Sequence, residues 1–158
     1  MPSPKLQVGD AAPGFFLHTP HGVEVSLTAC LLEGPVLVEF IRGTWDPDAR
    51  RRLERLAAER DRFREAGARV LVIACERAGS AARYLEEHPV ALSLLVDEDR
   101  RVARAYGVLQ RLSLPIPNVA RPASFVVDRC GYVRHVYVAR LQIHSSDVEE
   151  VIAVLKGI

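Results

Sequence analysis

Apolar runs separated by charged, periodic stretches divide this chain into alternating strands and helices. Residues 36–41, Val-Leu-Val-Glu-Phe-Ile, are apolar on both faces except at Glu39, the pattern of a strand covered above and below in a parallel sheet. Gly34-Pro35 punctuates the chain just before it. Beyond it Leu53, Leu56, Ala57 and Phe63 recur at helical spacing until Gly67, which predicts one helix over about 47–66. Arg50 with Glu54 and Arg55 with Glu59 stand four apart and are expected to pair on its outer face. Residues 69–75 read as a second parallel-type strand, followed by a helix near 79–87, a strand at 93–96 and a short helix near 99–106. Earlier, residues 5–20 allow only a brief strand or extended arm, and 23–27 alternates after the His21-Gly22 turn. Later, 121–128 opens a strand, 129–132 makes a hairpin turn, 133–138 returns, and 146–156 closes the chain as a helix. Between them, 109–120 is apolar but contains Pro115 and Pro117, which forbid a regular helix or central strand. Such a loop packs on its own core, covers a pocket or meets a partner subunit.

A length of 158 residues suits one domain, 1–158, with its own core. Lys and Arg number 21 against 20 Asp and Glu, a net charge of +1, so neither nucleic acid nor an anionic membrane is expected as partner. The opening residues lack a signal-like apolar core and no stretch reaches the ~20 apolar residues of a membrane span, so a soluble, cytoplasmic protein is expected. Cys30, Cys75 and Cys130 are odd in number, far apart and free of Cys-x-x-Cys spacing, which argues for free thiols over disulfides or zinc. His18 and His21 are near each other, while His88, His135 and His144 are scattered without a coordinating partner at ligand spacing. Neither a metal nor another cofactor is expected.

The chemistry concentrates in Phe40-Ile41-Arg42-Gly43-Thr44-Trp45-Asp46-Pro47-Asp48-Ala49-Arg50, which joins the central strand to the long helix. It resembles the strand-loop-helix corner of thioredoxin-like proteins, which usually reads Trp-Cys-Pro-x-Cys-Arg; the peroxiredoxin variant reads Thr-Pro-x-Cys, with the thiol on the first helical turn. Three other stretches carry the same resemblance. Val8-Gly9-Asp10-x-Ala12-Pro13-x-Phe15-x-Leu17 is similar to the opening segment of the alkyl hydroperoxide reductase and thiol-specific antioxidant family. The strand ending in Asp97 and the helix ending in Tyr106-Gly107-Val108 follow the peroxiredoxin order. Arg121-Pro122-Ala123-Ser124-Phe125-Val126-Val127-Asp128 resembles the segment whose cis proline packs against the active corner.

The resemblance implies an α/β fold, a thioredoxin-like sandwich of peroxiredoxin type in three layers, with a central mixed sheet flanked by helices. It implies a corner made of Thr44, Trp45 and Pro47, with Pro122 beside it as the cis proline. Arg121, displaced by one residue, is the nearest match to the arginine that binds peroxide and lowers the thiol pKa in peroxiredoxins. Glu39 takes the place of an acid that serves thioredoxins as a proton acceptor; read from the residues alone, it sits at a strand edge or pairs with an arginine.

Peroxide reduction needs a thiolate to attack the O–O bond, helped by a helix N-terminus. In the Thr-Pro-x-Cys register Asp46 replaces the hydroxyl and Ala49 the attacking cysteine; in the Cys-Pro-x-Cys register both cysteines are lost. Either register removes the nucleophile. Asp46 followed by Pro47 is also an N-cap followed by proline at the first helical position, which puts a fixed anion on the helix dipole and makes the corner structurally repaired and chemically silent. Three functions follow: a binding module for a protein or small molecule; an oxidoreductase using a displaced Cys75; and a structural or oligomeric role, such as a homodimer through 109–120. Cys75 ends the strand that a right-handed crossover places beside 36–41, on the sheet edge of Asp46, yet a lone buried cysteine behaves as a small hydrophobe. The basic run Arg50-Arg51-Arg52 alternates with Glu54, Glu59, Asp61 and Glu65 and reads as a solvated face, not a polyanion patch.

Overall fold

The computed structural model describes residues 5–110, 119–139 and 146–158. Along the chain run β1 (Phe16–His18), β2 (Glu24–Ser26), α1 (Leu27–Leu31), β3 (Val36–Ile41) and α2 (Pro47–Ala58). There follow α3 (Arg60–Glu65), β4 (Arg69–Ala74), α4 (Ala78–Glu87), β5 (Ser93–Val96) and α5 (Arg101–Ala105). The last are β6 (Leu109–Gln110), β7 (Val119–Ala120), β8 (Ala123–Val127), β9 (Val133–Val138) and α6 (Val148–Lys156).

A mixed sheet in the order β2-β1-β5-β4-β3-β8-β9 forms the middle layer, and β6 pairs with β7 beside it. As the apolar runs predict, β3 and β4 are parallel neighbours, from Val36 opposite Arg69 to Ile41 opposite Ala74. On the other side β3 meets β8 antiparallel, with Phe40 opposite Ala123. All six side chains of β3 are buried because the pleat sends them alternately into two cores. Val36, Val38 and Phe40 join Phe15, Tyr106 and Phe125 on one face, while Leu37 and Ile41 join Leu53, Leu56, Phe63 and Ile152 on the other. Tyr106 lies at the centre of the first, its ring centroid 5.3 Å from Phe40 and 5.1 Å from Phe125, and its hydroxyl donates to the Pro13 carbonyl at 2.8 Å.

Three local differences from the sequence reading have identifiable causes. The long helix is two, bent at Glu59 (φ −96°, ψ 8°), whose amide is shared between the Arg55 and Leu56 carbonyls. The Glu59 carboxylate pairs with Arg55 on one side of the bend and Arg62 on the other, and the bend lays Phe63 into the core. Of the two outer-face pairs expected, Arg55 with Glu59 forms at 3.6 Å. Arg50 instead turns back, donating from Nε to the Thr44 carbonyl and placing its guanidinium 4.9 Å from the Tyr84 ring, a better-shielded site than a solvated carboxylate. A short helix, α1, follows the alternating 23–27 in a stretch where the pattern gave no element, capped by Ser26 accepting from the Ala29 amide at 3.3 Å. The two ends of 109–120 form β6 and β7, which pair with each other outside the main sheet; the expectation for the rest falls on residues 111–118, which lie outside the described residues.

Gly34 approaches the turn after α3 so closely that a Cβ there would stand 2.2 Å from the Gly67 carbonyl oxygen. Gly34→Ala should therefore lower stability by about 1–3 kcal/mol through forced overpacking. Gly79→Ala in α4, where a Cβ meets nothing within 4 Å, should leave stability unchanged or raise it. Urea midpoints of the two variants against the parent check this; equal midpoints for all three would show that the Gly34 contact relaxes freely.

Candidate functional site

Where β3 ends, the chain turns through Arg42, Gly43, Thr44 and Trp45 into α2. Asp46 is the N-cap in extended conformation (φ −90°, ψ 123°), its Oδ1 accepting from the Asp48 amide at 3.3 Å, and Pro47 follows at the start of the helix. This is the predicted cap, and it is buried. Ala49, one turn in, points its methyl into the core formed with Leu53 and Leu56.

Glu76, two residues past the end of β4, ties this corner down. Its carboxylate accepts from the Thr44 amide at 2.7 Å, the Thr44 hydroxyl at 2.9 Å and the Ser80 hydroxyl at 3.0 Å. Thr44 is buried, so both of its donors are satisfied where water cannot serve them. Trp45 remains 36% exposed and lies over Arg42, whose guanidinium carbon is 4.9 Å from the ring centroid. Gly43 makes room for it: a Cβ at that position would stand 2.2 Å from the indole nitrogen.

Arg42 is the unusual member. It is 8% exposed, with Nη1 3.9 Å from Asp46 Oδ2, while its Nε and Nη2 have no hydrogen-bond partner among the described residues. Each buried donor left unmet costs about 1–3 kcal/mol. Nothing in the sequence distinguishes Arg42 from a surface arginine, since the signal is a geometric deficit.

A second polar group lies beneath the corner and corrects the reading of Arg50-Arg51-Arg52. Arg51 is exposed and pairs with Asp48, as a solvated face requires, but Arg52 is buried. Its Nε donates to Glu39 Oε1 at 2.8 Å, Nη1 to the Ser146 carbonyl at 2.9 Å and Nη2 to the Ser146 hydroxyl at 2.7 Å. The Ser124 hydroxyl donates to Glu39 Oε2 at 2.5 Å and stands 2.6 Å from the Ser146 hydroxyl. Glu39 is thus paired with an arginine, the second of the two roles read for it. The spacing of Ala49, Arg52, Leu53 and Leu56 on one helical stripe was the signal that Arg52 faces inward.

Cys75 follows β4, on the same edge as the corner. Burial first, then the negative charge of Asp97, push its pKa up to about 12, and its Sγ is 4.0 Å from Asp97 Oδ2. Asp97 itself is held by the Val102 and Ala103 amides at the start of α5. A thiol in this setting stays protonated and unreactive near neutral pH. Cys30 is also buried, which raises its pKa, whereas Cys130 is exposed in the β8–β9 turn. The β3–β8 register carries Arg121 and Pro122, just before Ala123, to the sheet edge of Ile41 and the corner. The Pro122 carbonyl accepts from the Ala139 amide at 2.8 Å, and the Arg121 amide donates to Val108. Among the described residues no three His, Cys, Asp or Glu side chains gather as a metal set, and no helix is long and apolar enough to cross a membrane.

Comparison with known proteins fits this geometry. A family model described as AhpC/TSA family matches residues 8–136. The chain belongs to that family. Peroxiredoxin Bcp of Escherichia coli K12 is 31% identical over 136 residues, covering 84% of this chain and 85% of the relative. The putative chloroplastic peroxiredoxin Q of Oryza sativa subsp. indica is 29% identical over 134 residues, 84% of this chain; the match spans 59% of that longer relative. Among solved structures, peroxidoxin BcpB from Mycobacterium tuberculosis superposes with a TM-score of 0.85 at 22% identity, covering 97% of this chain and 98% of that one. A peroxiredoxin-like protein from Aquifex aeolicus gives 0.86 at 19% identity, covering 99% and 90%. These neighbours establish the AhpC/TSA chain as a peroxiredoxin-like, thioredoxin-type α/β fold.

The thiol environments make a direct prediction. In the native protein at pH 8, Ellman's reagent should label Cys130 rapidly and leave Cys75 and Cys30 unlabelled over the same period. Because burial raises the folded pKa of Cys75 from its ordinary 9.0 to about 12, its stabilising contribution is full below pH 9 and is lost as pH rises from 9 to 12. Cys75→Ala should flatten that alkaline loss in a pH series of denaturation midpoints. Rapid labelling of Cys75 in the folded protein would contradict the assignment.

Proposed function

We propose that this AhpC/TSA protein works as a binding module and does not carry out thiol peroxidase chemistry. One observation carries the reading: the corner that resembles the family's reactive-thiol corner holds a capping carboxylate at Asp46 and a methyl packed into the core at Ala49. A peroxide O–O bond is cleaved by a thiolate, and neither a carboxylate cap nor a methyl can supply one. Cys75 does not compensate, since its thiol is buried and held protonated. The retained geometry supports binding: an ordered corner fixed by Glu76, an exposed Trp45 and a buried arginine beneath it.

Consumption of hydrogen peroxide and cumene hydroperoxide, with dithiothreitol as reductant, tests this. No turnover above buffer is expected from the parent, and Cys75→Ser should change nothing. Turnover that Cys75→Ser abolishes would establish a displaced thiol enzyme instead.

Restoration tests the correspondence of the corner itself. Asp46→Cys combined with Ala49→Cys rebuilds Trp-Cys-Pro-x-Cys, and the first thiol should titrate below ~8.5 because it lies at a helix N-terminus. Loss of the Asp46 cap should cost about 0.5–2 kcal/mol, which a domain of this size tolerates. The double variant is expected to reduce insulin disulfides where the parent does not. A folded variant whose thiols titrate unperturbed, and neither pair nor reduce insulin, would show that the likeness to a redox corner stops at the backbone.

A further inference from the structure

We propose that Arg42 is the ligand-binding cation of the corner and that it takes a small-molecule monocarboxylate with an apolar body. The proposal deepens the binding-module reading and rests on it, naming the ligand class of that same site. A guanidinium offers two forks, one from its terminal nitrogens and one from Nε with the terminal nitrogen on its side, and either matches the two oxygens of a carboxylate. In Arg42 the unpartnered atoms among the described residues are Nε and Nη2, which together form the second fork. Nη1 is the atom turned toward Asp46, at 3.9 Å from Oδ2, beyond hydrogen-bond length. Asp46 therefore balances part of the charge without satisfying the fork, and its Oδ1 is already committed to the Asp48 amide.

The surroundings select the class of anion. Asp46 and Asp48 stand at the start of α2, so a singly charged, planar anion is favoured over phosphate or sulfate, whose larger charge they repel. Trp45 covers one face of the guanidinium and is partly exposed, and the missing side chain at Gly43 gives it space. Because Nε and Nη2 are closed off from solvent, the indole is the cover that turns aside to admit the ligand, and it then offers its face to the ligand's apolar body.

Trp45 is the only tryptophan in the chain, so its fluorescence reports directly on this site. The full chain is titrated with phenylacetate, phenylacetamide and inorganic phosphate, with thermal melting as a second readout. Phenylacetate should give a saturable fluorescence change and raise the melting temperature, with the amide and phosphate at least tenfold weaker. Arg42→Lys, which keeps the charge and loses the fork, should weaken phenylacetate binding at least tenfold. Arg42→Met should abolish binding, and its melting temperature should equal or exceed the parent's because an unmet buried charge is gone. Should that variant unfold, Arg42→Lys carries the test. An equal response to the amide, tighter binding of phosphate, undiminished binding by Arg42→Lys, or no saturable response in either readout would each overturn the proposal. Peroxide turnover by the parent would defeat the binding-module reading on its own, so the two failures are distinguishable.

Discussion

Arg52 lies on the stripe of α2 that packs against the sheet, and a guanidinium there is tolerable only with its charge and its donors met. Glu39 meets the charge from the middle of β3, and Ser146 meets the remaining donors from the segment just before α6. One buried ion pair thereby joins the central strand, the helix that begins at the corner, β8 through Ser124, and the closing helix. Removal of one partner from such a pair strands the other in a low dielectric at a cost of about 3–5 kcal/mol, which a wholly apolar replacement avoids. The network therefore contributes less to net stability than to fixing how α2 sits on the sheet. The start of α2, and with it Asp46 and Ala49, inherits that position.

Above this foundation the corner is built around the capped start of α2. Asp46, as the N-cap, places a carboxylate at that helix start. Glu76 binds both donors of Thr44 from the segment just past β4, so the turn is held by hydrogen bonds from the neighbouring strand-end loop. Among the described residues, Arg42 Nε and Nη2 have no hydrogen-bond partner at this corner.

Much of this was legible in the sequence where local pattern and tertiary demand agree. The doubly buried β3 and β4, the Asp46-Pro47 helix start and the β8–β9 hairpin follow from apolar runs and turn chemistry that have one physical solution each. Other features depend on partners distant in sequence. Glu59 bends a helix without glycine or proline, because Phe63 gains a place in the core and the amide is shared between two carbonyls. Charge alternation concealed that one arginine in three turns inward; helical phase with Ala49 and Leu53 carried that information. Arg50 forgoes its expected carboxylate for a ring and a carbonyl that sequence spacing cannot bring together. The incomplete pairing of Arg42 has no sequence signature at all.

Gly43 and Trp45 also constrain how this corner can change over generations. A side chain at 43 collides with the indole, so substitution there is disfavoured for as long as the tryptophan keeps its place. Loss of the tryptophan first removes that restriction and frees position 43 to drift. Once a bulkier residue is established at 43, a tryptophan restored at 45 no longer fits in the same pose. The order of two single changes thus acts as a ratchet, and lineages that lose the ring first lose the route back to this arrangement.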